Sequence, residues 1–241
     1  MVANRNRIVR ISNALKKYND KADELQSVDQ KDGGFKGIPL LRYNEGQSIN
    51  AIYAVRSLGI DPENGRELYV KRDGTLTYDY DKRDIVVVGN ADPKVNGYFG
   101  GTFTYKRFNL TANFETYFGG DTYNQTLVDR VENADARYNV DKRVFEGKWK
   151  QSGDLTFYKN IADLGTTEVN SRFVQKDNLL NLQSLYLSYD IDQKYVKRLS
   201  MSNLRFGVTA NDVARWSSIK QERGIDYPFA RSITFSVNAT F

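Results

Sequence analysis

The sequence predicts an all-β fold made of antiparallel transmembrane β-barrel strands that are joined by long extracellular loops. Three observations support this prediction. Polar and apolar residues alternate strictly over several segments. The chain is rich in aromatic residues, with 16 Tyr and 13 Phe, although its mean hydropathy is only −0.61. Short and long connections alternate between most of the predicted strands, which is typical of transmembrane barrels.

The clearest strand signal lies in residues 232–241. Ile233, Phe235 and Val237 belong to an apolar series that alternates with hydroxyl and amide residues over ten positions without exception. Because successive side chains of a strand point to opposite faces, this segment has one apolar and one polar face. The segment ends on an aromatic residue, Phe241.

Weaker alternation predicts about six further strands. The first two are the least regular. The third and fourth are joined by three residues, too few for anything but a tight hairpin. In chain order the six segments are 7–18, 49–59, 99–105, 109–118, 185–189 and 204–210.

The connections between these strands differ strongly in length. The links at 106–108 and 191–198 are short, whereas those at 60–96, 119–176 and 212–230 are long. Short turns at one end of a sheet and long loops at the other are the arrangement found in transmembrane barrels.

Two of the long loops contain local structure of their own. Turn sequences on both sides of Glu67–Val70 predict a small strand there, since Pro and Gly supply the backbone angles that tight turns need. Apolar residues at helical spacing allow a short helix within 125–146.

Composition excludes several classes of function. The 241 residues include neither cysteine nor histidine. Disulfide frameworks, thiolate or imidazole metal sites, and catalysis through Cys or His are therefore excluded. The net charge of +5 is spread along the chain. Because nucleic-acid binders gather positive charge into a patch, the sequence predicts no nucleic-acid partner.

No motif in the sequence predicts catalysis or a cofactor. The glycines at 97–101 lie in a predicted strand with no helix after them, which is the wrong context for phosphate binding. Asp79 with Asp81, and Asp190 with Asp192, lack the further oxygen ligands of a calcium loop, so solvated turn aspartates are the favoured interpretation. The sequence therefore predicts that the protein is not an enzyme and has no metal site.

Aromatic side chains in the predicted loops are candidate ligand contacts. They could stack on sugar rings or peptide side chains, or they could pack the loops onto one another, and the second interpretation is favoured. These residues are Tyr123, Trp149, Trp216 and Tyr227.

Apolar side chains in the predicted strands are candidate lipid contacts. One face of a barrel strand meets lipid, and aromatic residues gather near the interfaces. The residues predicted to face lipid are Phe114, Phe118, Ile233, Phe235 and Val237.

Several segments, in the same order, resemble the C-terminal region of SusC/RagA-type TonB-linked outer-membrane transporters. The longest are Arg-Ser-Leu-Gly-Ile-Asp-Pro-Glu-Asn-Gly at 56–65 and Gly-Gly-Asp-Thr-Tyr-Asn-Gln-Thr-Leu-Val-Asp at 119–129. The others are Ser-Arg-Phe-Val at 171–174 and Glu-Arg-Gly-Ile-Asp-Tyr-Pro-Phe-Ala-Arg at 222–231. Together they extend the resemblance over nearly the whole chain.

The resemblance implies a 22-stranded barrel of the outer membrane, an N-terminal plug and a SusD-like surface lipoprotein as partner. It also implies import of a glycan or peptide ligand with energy from the TonB complex. Phe241 matches the signal by which the barrel-assembly machinery recognises the last strand.

Residues 1–241 are therefore expected to be a partial TonB-dependent receptor β-barrel domain. Nothing in the sequence resembles the plug, the segment that contacts TonB or a signal peptide, so the chain is expected to be a fragment that does not transport alone. The rival hypothesis is a soluble, secreted β-sandwich that binds carbohydrate through loop aromatics.

Overall fold

A computed structural model describes residues 2–29, 34–220 and 231–241. Within these ranges the protein is mostly β-sheet, as predicted, with eleven strands and four short or peripheral α-helices. Contacts between Cα atoms divide the chain into two compact units. The first unit comprises Met1–Asp92 and Gly120–Lys176, and the second comprises Pro93–Gly119 and Asp177–Phe241.

The first unit begins with helix α1, Val2–Gln26. The strand predicted at 7–18 is therefore wrong. Residues 13–25 contain Ala, Leu, Lys and Glu, which have high helix propensity, and no Gly or Pro interrupts them. Among the described residues, no helix has both the length and the apolar character needed to cross a membrane.

A four-stranded sheet follows in the order β3-β2-β1-β4. Its strands are β1 Ala51–Ile60, β2 Glu67–Val70, β3 Leu76–Thr77 and β4 Ile85–Asn90. The small strand predicted at Glu67–Val70 is confirmed. A 3₁₀ helix, Lys82–Asp84, precedes β4.

The rest of the first unit is short elements around an apolar core. They are α2 Gln125–Leu127, a π-helical turn Val128–Glu132, α3 Arg143–Glu146, β7 Lys148–Trp149, β8 Tyr158–Asn160 and a 3₁₀ helix Ser171–Phe173. The short helix predicted within 125–146 is thus confirmed, although it is divided into pieces. The buried residues at its centre include Val128, Val131, Val144 and Phe173.

A five-stranded sheet in the order β11-β10-β9-β6-β5 makes up most of the second unit. Residues 120–123 and 174–176 of its strands belong to the first unit. The strands are β5 Val95–Tyr105, β6 Phe108–Tyr123, β9 Val174–Asp190, β10 Asn203–Ser217 and β11 Ser232–Thr240. Helix α4, Gln193–Val196, and a 3₁₀ helix, Lys197–Leu199, lie in the connection between β9 and β10. The four strands predicted here by alternation, together with the final strand, are confirmed, but β6, β9 and β10 are longer than predicted.

Candidate functional site

The hairpin of β5 and β6 fixes which residues share a face of the five-stranded sheet. Only Lys106 and Arg107 separate the two strands, and Lys106 has a positive φ of 56° that closes the tight turn. The register pairs Phe99 with Phe114 and Phe103 with Leu110. Apolar residues therefore stand opposite apolar residues across this hairpin, and the Phe99 and Phe114 rings stack with centroids 5.0 Å apart.

The same apolar face continues to the other edge of the sheet. The Phe108 ring lies 4.6 Å from the ring of Tyr189 on β9. Tyr189 is opposite Phe206 on β10, and Phe206 is opposite Val237 on β11. Contacts and register thus connect one apolar face across all five strands.

The five residues predicted to face lipid all lie on this apolar face. Phe114 and Phe118 are on β6, while Ile233, Phe235 and Val237 are on β11. The three on β11 are 64%, 78% and 62% exposed. Large apolar side chains this exposed, side by side across a sheet, form a contiguous apolar patch of the kind that marks a protein, membrane or ligand interaction surface.

The opposite face is a hydrogen-bonded polar surface. Thr102 and Thr111 are 2.9 Å apart across the first hairpin, and Tyr98 donates to the Glu115 carboxylate at 3.0 Å. Between β6 and β9 the Asn113 amide donates to Ser184 at 3.0 Å. Such cross-strand pairs stabilise a sheet whose polar face meets water.

The lengths of the strands suit a membrane crossing. The five strands contain 11, 16, 17, 15 and 9 residues in chain order. A tilted strand needs about 9–11 residues to cross the hydrocarbon layer. The longer strands therefore have several residues in excess of one crossing.

A β-bulge in β10 determines the position of Trp216. The pairing with β9 shifts between Asn211 and Ala214, and Asp212 has a positive φ of 50°. The extra residue reverses the alternation, because a bulge re-aims the side chains after it. Trp216, opposite Leu180 and 55% exposed, therefore lies on the polar face and in a strand, not in a loop as predicted.

The other predicted loop aromatics have packing roles in the first unit. The Trp149 indole is 9% exposed, and its Nε1–H donates to the Pro62 carbonyl at 2.9 Å. The Tyr123 ring lies 6.1 Å from that of Phe173 at the edge of the apolar core. Tyr227 lies outside the described residues. Tyr123 is the last residue of β6 and Trp149 lies in β7, so neither is in a loop as predicted, and both pack within the first unit.

An ionic triad is buried in the first unit. The Arg172 side chain is 3% exposed and forms ion pairs with Glu67, which is 9% exposed, and with Glu132, which is fully buried. Its Nε lies 3.0 Å from Glu67 Oε1, and its Nη2 lies 2.6 Å from Glu132 Oε1. The guanidinium also stacks on the Phe173 ring, 4.5 Å from the centroid.

Burial and pairing act in opposite directions on the charges of the triad. Burial raises the pKa of the Glu67 carboxyl, and the neighbouring Arg172 opposes that rise. For Arg172, burial alone would lower the pKa, but the carboxylates of Glu132 and Glu67 outweigh burial and raise it. The pKa of the nearby Lys148 is lowered by burial. The two neighbouring carboxylates therefore keep the Arg172 guanidinium charged although it is buried.

Sequence reasoning missed this triad. Glu67 and Arg172 are 105 residues apart, and no local pattern connects them. Both lie in or beside segments that carry the family resemblance, which is the one signal that could have drawn attention to them.

The aspartate pairs considered for calcium have other partners. Asp190 pairs with Arg205, Asp192 pairs with Arg107, and Asp81 pairs with Arg83. Within the described ranges, no cluster of three or more acidic side chains could hold a metal ion.

Comparisons with known proteins are consistent with this geometry. No family model matches the chain. A curated protein, TonB-dependent receptor P3 of Formosa agariphila, is 20% identical over 89% of this chain. The chain spans 24% of the length of that relative.

Solved structures give the same result. The RagAB peptide importer in its open-open state matches 79% of this chain with a TM-score of 0.64 and 17% identity. A second structure, of the RagAB peptide transporter, matches 70% with a TM-score of 0.58 and 18% identity. The resemblance to SusC/RagA-type transporters is confirmed. The chain has the fold of a RagA-like β-barrel segment and covers 22% of the first matched chain.

Proposed function

We propose that this chain is a wall segment of an outer-membrane active importer for glycans or peptides. The observation that carries the proposal is the apolar face that continues over all five strands of the second unit. That face contacts lipid, and the hydrogen-bonded polar face lines the lumen. The outer strands β5 and β11 pair with barrel strands other than these five, because an open sheet edge is not tolerated in lipid.

Further parts of the proposal follow from the likeness to TonB-dependent receptors and to the RagAB importer. A SusD-like surface lipoprotein covers the barrel over its ligand, and the TonB complex supplies energy through a plug domain. Phe241, 82% exposed, is the contact that the barrel-assembly machinery recognises. The matched relatives are receptors and transporters, and we propose no catalytic activity for this chain and no transport by it alone.

The decisive experiment compares two neighbouring substitutions on opposite faces of β11. Phe235→Arg places a charge on the proposed lipid face, at a cost of about 2–4 kcal/mol near the membrane centre. Thr234→Arg places the same charge on the polar face. In the full-length importer, we expect only Phe235→Arg to reduce the amount in the outer-membrane fraction.

Equal amounts of the two variants in the outer membrane would contradict the proposed orientation. Recovery of the unmodified protein in a soluble, secreted fraction would favour a carbohydrate-binding β-sandwich instead.

A further inference from the structure

One end of the five-stranded sheet carries two short connections, and we call it the short-turn end. Residues 106–107 join β5 to β6, and residues 191–202 join β9 to β10. The Asp190 N–H donates to the Arg107 carbonyl at 3.0 Å, so the two connections are neighbours. Val196 of α4 is buried and α4 contacts β10, so the longer connection is folded back onto the sheet.

The apolar face ends in a row of aromatic side chains at the short-turn end. Tyr105 on β5 is opposite Phe108 on β6. The Phe108 ring contacts Tyr189 on β9, and Tyr189 is opposite Phe206 on β10. Four neighbouring strands thus each contribute one aromatic ring. Aromatic girdles of this kind lie where the hydrocarbon layer meets the lipid headgroups.

Beyond the aromatic row, the short-turn end carries exposed cations. Lys106 lies in the first connection, and Lys194, Lys197 and Arg198 lie in the second. Among the described residues, none of these four side chains forms an ion pair with a carboxylate. Lys106 Nζ lies over the Tyr105 ring, 5.3 Å from its centroid, so this cation stands at the margin of the apolar face.

The carboxylates at the same end do not neutralise these cations. Asp192 pairs with Arg107, and Asp190 pairs with Arg205. The main-chain carboxylate of Phe241, next to β11, adds one further negative charge. The four unpaired cations exceed that single carboxylate, so the short-turn end has a net positive charge.

A positive surface beside an aromatic girdle suits the headgroups of anionic phospholipids. Each Lys or Arg close to an anionic membrane surface strengthens binding about fivefold. Long cationic side chains can extend from an apolar surface to reach the headgroup phosphates. The position of Lys106 favours a lipid over an acidic protein as the partner, because the apolar face beside it is the one that contacts hydrocarbon.

We propose that the short-turn end binds the headgroups of anionic phospholipids through Lys106, Lys194, Lys197 and Arg198. Short turns of outer-membrane barrels lie on the periplasmic side, so the lipids are those of the periplasmic leaflet. The inference rests on the proposed function for the orientation in the membrane, and it adds the class of lipid that this end of the sheet selects.

The test identifies the lipid that lies next to a single tryptophan in the girdle. Trp149→Phe and Trp216→Phe remove the native tryptophans of the full chain, and Tyr105→Trp supplies the reporter. Vesicles contain equal amounts of phosphatidylglycerol and phosphatidylcholine, and only one of the two lipids carries bromine, which quenches tryptophan. We expect brominated phosphatidylglycerol to quench more, corresponding to at least about a fivefold preference over phosphatidylcholine.

Substitutions of the cations test their contribution to the preference. Lys106→Gln should reduce the preference by up to about fivefold. Its matched control is Lys94→Gln, at an exposed lysine just before β5 and at the opposite end of that strand, which should leave the preference unchanged. Replacing Lys106, Lys194, Lys197 and Arg198 together by Gln should abolish the preference.

Two results would overturn the inference while leaving the membrane assignment intact. Equal quenching by the two brominated lipids would favour an acidic protein as the partner of these cations. A preference that persists after all four substitutions would exclude these residues as the cause. Absence of quenching by both lipids would instead contradict the membrane assignment itself. If Tyr105→Trp does not fold, Phe108→Trp on the neighbouring strand gives the same measurement.

Discussion

At the scale of single residues, Arg172 connects three separate segments of the first unit. It joins β2 through Glu67 and the π-helical turn through Glu132, and it also stacks on Phe157 and Phe173. A buried ion pair adds little net stability over an apolar replacement, because desolvation offsets the attraction. Removing one member has a large effect, since the remaining charges lose their partner.

Arg172→Met should therefore destabilise the first unit by about 3–5 kcal/mol, because two buried carboxylates are left facing each other. Near-ultraviolet circular dichroism during urea unfolding of the full chain in detergent measures the loss. The control is Arg137→Met, whose arginine is 74% exposed and pairs with Asp135. We expect no measurable change for the control, and equal unfolding midpoints of the two variants would contradict a stabilising triad.

Gly65 has a conformational and a steric reason to remain glycine. Its φ is +71°, and a Cβ atom there would lie 2.5 Å from two ring atoms of Trp149. Gly153 has a φ of +99° but open space around it. Gly65→Ala should thus cost about 1–3 kcal/mol more than Gly153→Ala, because overpacking adds to backbone strain. Thermal unfolding of both variants measures the difference, and similar melting temperatures would refute it.

At the scale of elements, alternation predicted the strands of the second unit because each has one apolar and one polar face. The alternating segments 99–105 and 109–118 lie in β5 and β6, with the tight turn between them as expected. Alternation gave no information on strand ends, since β9 and β10 continue beyond their apolar series. The strand predicted at 7–18 is helical because alternation there was weak and helix propensity is high.

For the candidate functional site, too, the sequence predicted the residues that follow a local pattern and missed those that do not. The lipid-face candidates came from local periodicity, and the register places them on one face. Trp216 was placed in a loop because the bulge near Asp212 interrupts the alternation on which the prediction depended. The triad joins residues distant in sequence, and local pattern carries no information about such contacts.

The bulge in β10 can be tested directly. Deleting Val213 removes the extra residue and should leave Trp216 opposite Leu180 on the same face, because the register with β9 sets that face. The chain has two tryptophans, so a Trp149→Phe background leaves Trp216 as the reporter. In lipid vesicles, we expect the same emission maximum and the same acrylamide quenching before and after the deletion. The double substitution R215W/W216R is the control that moves the tryptophan to the other face, and a change after the Val213 deletion as large as that of the control would contradict the assigned bulge.

At the scale of the whole molecule, the described residues of the second unit leave an apolar face uncovered and form two outer strands. Both features promote association in water, through apolar burial and through pairing of strand edges. We expect the purified chain to be monomeric in detergent and to associate when the detergent is removed. Light scattering during size-exclusion chromatography measures this, and a stable 27.6 kDa monomer without detergent would contradict the membrane assignment.

The length of chain between Glu67 and Arg172 has a consequence for the order of folding. The β5–β6 hairpin closes over two residues and needs only local contacts, which form in about 1–10 μs. The Glu67–Arg172 pair must close a loop of 105 residues before either charge gains its partner. We expect the guanidinium to stay hydrated while the hairpin forms, so that the ion pairs which stiffen the first unit are also among the last contacts to mature.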